Sequence, residues 1–291
     1  MIQHAGPVVV LGANGMLGRA VTELARQRSL EIAGFSHAEL DITDPSQVRA
    51  ALDGLRPAVV LNLAGYTAVD RAEQEPEQAL RVNRDGAANV ALAARAVGAR
   101  VFYISTDYVF DGRARTPYAP DAATNPLSVY GRSKLLGEEA VRSQHDDHVI
   151  VRTSWVFAPW GTNFVRTIVR HALAGNTLRV VDDQLGSPTA APDLAAALLA
   201  LMGARDFTGT VHFSCAGAVT WYGFAGAILE ELRLRGATSL PELVPVTGTE
   251  YGAAAERPGY SVLDTTLFTT VTGQQPRNWR AALAETMSVL E

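Results

Sequence analysis

The chain has 291 residues, 47% hydrophobic and 19% charged, with a formal net charge of −5. That balance excludes a disordered chain and the cationic surface that nucleic acid requires, and the length accommodates a nucleotide-binding domain plus a smaller lobe. The one cysteine, Cys215, excludes an internal disulfide framework and offers no metal-site pattern.

The N-terminal stretch MIQHAGPVVVLGANG is too short in its apolar part, and lacks the cationic start, to be a secretory leader. No run approaches the length of a membrane span, so the expectation is a cytoplasmic protein with neither a membrane nor a nucleic-acid partner. Pro7–Leu11 reads as a buried strand and Gly15–Arg28 as a helix. Between them GANGMLG places Gly12, Gly15 and Gly18 at the turn from strand to helix. Glycine there permits a tight turn and close approach of backbone to a pyrophosphate, whose charge the helix N-terminus favours. A glycine triplet alone is weak evidence, and its alternative is a turn without a ligand. Its position in the first strand-turn-helix strengthens it.

A second strand, Leu30–Phe35, ends in Phe35-Ser36-His37, with no carboxylate to hold both adenosine ribose hydroxyls. Arg19 is within reach of a 2′-phosphate, and the reading leans slightly to NADPH over NADH. Asp41, in LDITD, either bounds the adenine or caps the helix read at Pro45–Leu55. A strand at Ala58–Leu63, a long helix at Pro76–Val97 and a strand at Arg100–Ser105 follow. Thr106, leaving that strand's C-terminal end, is placed to hydrogen-bond a substrate oxygen, or merely to start a turn. Phe110–Pro126 reads as a long loop, Val129–Arg142 as a helix and Val149–Thr153 as a strand. Apolar strands without alternation, separated by helices, predict an α/β, Rossmann-type doubly wound parallel sheet.

The helix at 129–142 carries YGRSK. Among 25 basic residues only Lys134 is a lysine, and it stands four positions after Tyr130, on the same helix face. A nearby ammonium lowers a phenol's pKa and fits it for acid–base work near neutrality. Lysine is also a compact donor able to reach a ribose hydroxyl, which the flat guanidinium does less well. The plain alternative is a surface pair on an ordinary helix. Past residue 155, helices are expected at Phe164–Leu173, Asp193–Met202, Trp221–Arg235 and Trp279–Leu290. Residues 1–155 are therefore read as an NAD(P)-binding domain that takes sheet contributions from later segments. Residues 156–291 are read as an interleaved, smaller substrate-binding lobe. HDDH, His145 to His148, reads as a solvated turn in preference to a metal site.

Together these pieces resemble the extended short-chain dehydrogenase/reductases over nearly the whole chain, and within them the dTDP-4-dehydrorhamnose reductases. The resemblance rests on GANGMLG, LDITD, NLAGYTAVD, YISTDYVFDG, YGRSK, VRTSWVF, DQLGSPT and RPGYSVLD. It implies Thr106, Tyr130 and Lys134 as the catalytic set. Cofactor contacts are implied for Gly12, Asn14, Gly15, Met16, Leu17, Gly18, Ser36, Asp41, Ile42, Ala64, Gly65 and Tyr66, as well as Tyr130 and Lys134. For a dTDP-linked 4-keto sugar it implies Val69, Asp107, Tyr108, Trp155, Asn163 and Arg257. Trp155 is either a pocket wall or a core aromatic, and Arg257 either binds diphosphate or anchors a loop. Related 4,6-dehydratases carry Asp-Glu after the threonine. Asp107-Tyr108 here fits ketone reduction better than elimination. The resemblance also raises magnesium at a subunit contact, but no carboxylate cluster places one, so no metal is assigned. A homodimer is the assembly considered. Rival readings are a ketoreductase of another deoxysugar nucleotide (of antibiotic-sugar or dihydrostreptose type), a sugar-nucleotide epimerase, and a non-catalytic NADP-binding regulatory subunit like the beta subunit of methionine adenosyltransferase.

Overall fold

The computed structural model describes residues 6–290. Its first half runs β1 (Val8–Leu11), α1 (Met16–Gln27), β2 (Ile32–Phe35), α2 (Pro45–Leu55), β3 (Val59–Asn62), α3 (Val69–Ala72), α4 (Pro76–Leu80), α5 (Ala87–Val97), β4 (Arg100–Thr106), α6 (Val129–Gln144) and β5 (His148–Thr153). The second half adds β6 (Val156–Phe157), α7 (Phe164–Leu173), β7 (Leu178–Val181), β8 (Leu185–Gly186), β9 (Thr189–Ala190), α8 (Ala191–Gly203), β10 (Gly209–His212), β11 (Val219–Thr220), α9 (Trp221–Leu234), β12 (Leu243–Val246), α10 (Gly248–Tyr251), α11 (Thr266–Thr272) and α12 (Trp279–Ser288).

Six strands form one parallel sheet in the order β10-β5-β4-β3-β1-β2. Alternation sorts its side chains into two cores. Val8, Val10, Val59, Leu61, Phe102 and Val151 pack on one face with α1 and α8. Val9, Leu11, Val60, Tyr103 and Ile150 pack on the other with α2 and α5. Burial of both faces explains the unbroken apolar runs. The strand order reverses between β1 and β3, the point where open α/β sheets hold ligands. The segment after residue 155 is split in two. Helix α8 and strand β10 complete the sheet layers, whereas α7, α9 and α12 enclose a separate core around Phe157, Phe224 and Trp279.

Local chemistry sets the helix starts. Asp44 caps α2, accepting from the Ser46 and Gln47 amides with Pro45 at the first position, so the capping alternative for Asp41 does not hold. Ser128 caps α6 and Asn163 caps α7 in the same way. The long helix expected at Pro76–Val97 is interrupted by a π-helical turn over Arg81–Gly86. Such a bulge admits one extra residue per turn and often marks a functional site. Here it turns Asn83 inward, where its amide bonds the Tyr66 carbonyl at 3.0 Å and Ser133 Oγ at 2.8 Å.

The placement of α6 depends on two residues without side chains. A Cβ on Gly131 would run into the Tyr108 carbonyl, and one on Gly137 into the Asn83 carbonyl and the Tyr103 hydroxyl. Helix propensity alone makes Gly137→Ala stabilising by about 1 kcal/mol. The packing reverses the sign, and the variant is expected to lose about 1–3 kcal/mol in urea unfolding.

Candidate active site

Helix α6 lies over the C-terminal end of β4 and brings Thr106, Tyr130 and Lys134 together. Thr106 is buried; its hydroxyl donates to Asp107 Oδ1 at 3.0 Å, accepts from the Tyr108 amide at 3.2 Å and neighbours the Tyr130 hydroxyl. Thr106 also opens the short turn Asp107–Val109, the second role considered for it. The Tyr108 and Tyr130 rings meet edge to face, 5.6 Å apart. Lys134 Nζ sits 4.0 Å above the Tyr103 ring, and 3.7 Å from where a Cβ on Gly65 would stand. The ammonium is thus held at the loop after β3, between the helix and the sheet.

The electrostatics differ from the expectation that Lys134 makes Tyr130 acidic. Burial pushes the phenol up to about 12, assisted by the charge of Asp107 and opposed by the Thr106 hydrogen bond. Burial also brings Lys134 down to about 7, against the pull of Glu138 one turn further on. The reason is mutual. A site dry enough to lift the phenol disfavours the ammonium as well, and Lys134 contributes only part of a charge at neutrality. Tyr130 is consequently held as a neutral phenol.

A second layer, invisible as a motif, supports this set. Glu138 is fully buried, receiving Arg152 through both oxygens at 2.8 and 2.7 Å, Arg142 at 2.7 Å and Ser105 Oγ at 2.5 Å. These partners hold its carboxyl below the usual range although desolvation acts the other way. Arg152 continues to the Pro120 carbonyl at 3.0 Å and thereby ties the long 110–126 loop to the sheet. The only sequence signal for Ser133 and Glu138 is their phase relative to Tyr130 and Lys134 on α6, and Asn83, on a different element, carries none.

The glycine turn fits a dinucleotide. Gly12 has φ of +82°, and a Cβ there would lie 2.8 Å from the Ala64 amide nitrogen, so the loops after β1 and β3 touch at the sheet's switch point. A Cβ on Gly18 would strike the Gly12 and Ala13 carbonyls. Gly15 opens α1 without a capping side chain, leaving the first-turn amides of Met16, Leu17 and Gly18 for an anion. Asn14 lies in the same turn. Ser36 donates from both its amide and its hydroxyl to Glu39, at 2.8 and 2.7 Å. Asp41 takes the Thr43 amide at 2.9 Å, and Ile42 is buried beside Gly86. Tyr66 is clamped by its backbone to Asn83, at 2.9 and 3.0 Å. Arg19 stacks on the Trp160 ring, 4.5 Å from its centroid.

Substrate-side expectations divide. Val69 opens α3 and Asp70 follows it, gripping Arg257 at 3.0 and 2.7 Å and the Ala255 amide at 3.0 Å. Arg257 therefore anchors its loop to the first domain, with Tyr108 as a further neighbour. It also borders a cleft of about 860 Å³ whose walls include Phe164, Arg179, Gln184 and Trp221. Trp155, at φ +49°, stacks on Trp221 with centroids 3.5 Å apart, its ring filling the space that a side chain on Gly186 would need. Asn163 does not join the pocket by its polar atoms. Its amide bonds the Ala158 and Trp160 carbonyls, and its oxygen caps α7. Among the described residues no group of three or more His, Cys, Asp or Glu side chains is placed to hold a metal ion. His145 is buried against the Ala99 carbonyl, which corrects at that residue the solvated turn expected there.

A family model described as the RmlD substrate binding domain matches residues 6–291. A dTDP-4-dehydrorhamnose reductase of Streptomyces griseus is 43% identical over 288 residues, covering 97% of this chain and 93% of that protein. The spore coat polysaccharide biosynthesis protein SpsK of Bacillus subtilis (strain 168) is 40% identical over 278 residues, covering 96% and 95%. Among solved structures, the dTDP-4-dehydrorhamnose reductase of Bacillus anthracis str. Ames in complex with NADP superposes with a TM-score of 0.92 at 36% identity, covering 97% of this chain and 99% of that one.

Two outcomes follow from the dry site. As the only lysine, Lys134 is expected to give one side-chain NMR signal in lysine-labelled protein, losing its proton as pH rises through about 7. Burial raises Asp107 to about 6, so its ionised form costs stability that is absent below the ordinary carboxylate range and fully in force above about 6. Asp107→Asn is therefore expected to raise unfolding free energy at neutral pH by up to about 3 kcal/mol, and by little near pH 4. Denaturant titrations at the two pH values read the difference.

Proposed function

The chain belongs to the dTDP-4-dehydrorhamnose reductase family, and from that premise we propose that it reduces the 4-keto group of a dTDP-linked 4-keto-6-deoxyhexose with NADPH, or alternatively NADH. The observation that carries the reading is the convergence of Thr106 at the end of β4 with Tyr130 on α6, and Lys134 one helical turn away. When bound, the reduced nicotinamide supplies hydride to the carbonyl carbon. The loop amides at Gly12–Gly18 and the N-terminus of α1 hold its pyrophosphate. Asp41 and Ile42 bound the adenosine side, and Ala64, Gly65 and Tyr66 line the path toward the catalytic residues.

Tyr130, kept neutral by burial, gives its hydroxyl proton to the substrate oxygen as negative charge develops there. Thr106 contributes a second hydrogen bond to the same oxygen. Lys134, in its ammonium form, offsets the charge left on the phenol. The position after Asp107 holds Tyr108, a half-buried neutral ring that has no carboxylate with which to assist loss of water. Val69, Asp107, Tyr108, Trp155 and Arg257 are the proposed substrate contacts. With this reading go a cytoplasmic location and a homodimeric assembly, which fractionation and light scattering test.

Tyr130→Phe is expected to lower kcat by about 10²–10⁴-fold while NADPH affinity is unchanged. Loss of reduced-nicotinamide absorbance with a panel of dTDP-4-keto sugars measures it. Wild-type turnover in the variant would remove Tyr130 as the acid, and a wild-type protein that isomerises the sugar without net oxidation would make the chain an epimerase.

A further inference from the structure

Thr106 has one proton to give and two lone pairs to receive with. Three groups compete for them. The Tyr108 amide takes one lone pair at 3.2 Å, Asp107 Oδ1 lies at 3.0 Å, and the Tyr130 hydroxyl is the third neighbour. Asp107 is 1% exposed, and its second oxygen, Oδ2, has no hydrogen-bond partner of good geometry, with the Ser261 hydroxyl beside the carboxyl. A buried carboxylate with one oxygen unsatisfied is an expensive place for a full charge.

We propose that Asp107 is a positioning residue whose proton state sets the direction of the two catalytic hydrogen bonds. Ionised, Asp107 draws the Thr106 proton, and the remaining Thr106 lone pair draws the Tyr130 proton, so both hydroxyls point away from the substrate. Carrying a proton, Asp107 donates to Thr106 instead. The Thr106 lone pairs are then filled by Asp107 and the Tyr108 amide, and the Thr106 and Tyr130 hydroxyls are both released toward the substrate oxygen. The proton on Asp107 comes from solvent water and is not consumed, because the one spent on the product is that of Tyr130.

The groups around Asp107 fit such a device. From α6 it faces Tyr130; Lys134 on the same helix is turned onto the Tyr103 ring, and Glu138 is engaged by Arg152. From the C-terminal segment Ser261 lies beside it, while Arg257 is neutralised by Asp70. Among these neighbours no cation pairs with the carboxyl. Burial lifts it to about 6, within reach of neutral pH, and a developing alkoxide nearby would lift it further.

This inference rests on the reductase reading, and the experiment separates the two. With NADPH and a dTDP-4-keto-6-deoxyhexose, wild-type kcat is expected to fall about tenfold per pH unit above about 6. Asp107→Asn, whose amide cannot ionise, is expected to fold and to lose that limb with unchanged KM for NADPH. If the limb persists in Asp107→Asn, it belongs to Lys134 and the proposal is overturned. Difference infrared spectra of the free protein, wild type minus Asp107→Asn, follow the protonated-carboxyl band without any turnover. Thr106→Val is expected to shift that band and its titration, whereas Thr106→Ser leaves both in place. An unshifted band in Thr106→Val overturns the proposal. A wild type inactive on every ketosugar overturns the reductase reading, and the infrared titration still decides whether Asp107 acts through Thr106.

Discussion

The site depends on how closely α6 can approach the sheet. Two glycines on its inner face let backbone meet backbone at Tyr108 and Asn83, and the Glu138–Arg152 pair fixes the depth. A charged pair wholly removed from water is no cheap source of stability, since desolvation offsets most of the attraction. Its value here is geometric. Glu138 accepts from β4, β5 and its own helix at once, so the helix can neither slide nor roll without leaving a buried charge unpaired, a loss of about 3–5 kcal/mol. Tyr130 and Lys134 inherit that rigidity, which catalytic positioning requires.

The same closeness governs the protonation states. Excluding water moves several groups near β4 toward their neutral forms: Tyr130 and Asp107 rise, while Lys134 and His212 fall, the histidine to about 3. Glu138 resists, because cations and a hydroxyl occupy both of its oxygens. A reductase profits from such a site. Its proton donor stays loaded until negative charge appears on the substrate, and preorganised donors act more strongly where water is absent.

Polar clasps tie distant segments together in addition to the apolar packing of α8 and β10 on the sheet. Asp70 grips Arg257 across the sequence, Arg152 reaches the 110–126 loop, and His212, with its Nδ1 on the Tyr118 carbonyl at 3.0 Å, secures the same loop from β10. The Trp155–Trp221 stack adds a flat wall beside the cleft. Arg257 was read either as a phosphate ligand or as an anchor, and the structure gives its guanidinium to Asp70. Asn163, implied as a pocket residue, serves a helix terminus, a duty that its position just before an apolar helix also suits.

Sequence by itself determined whatever depends on local periodicity and on residue type at fixed spacing. The apolar runs of β1, β3, β4 and β5 announce a parallel sheet because strands buried on both faces have no polar side to show. The glycine turn and the Tyr130–Lys134 spacing follow from the geometry of one loop and one helix. Only the tertiary structure decided the rest. It bent the 76–97 helix through a π turn to deliver Asn83, chose Asp44 over Asp41 as the cap, and reversed the expected acidity of Tyr130. Desolvation is the reason for that reversal, since it is set by how many elements converge on a side chain, a quantity that no spacing along the chain encodes.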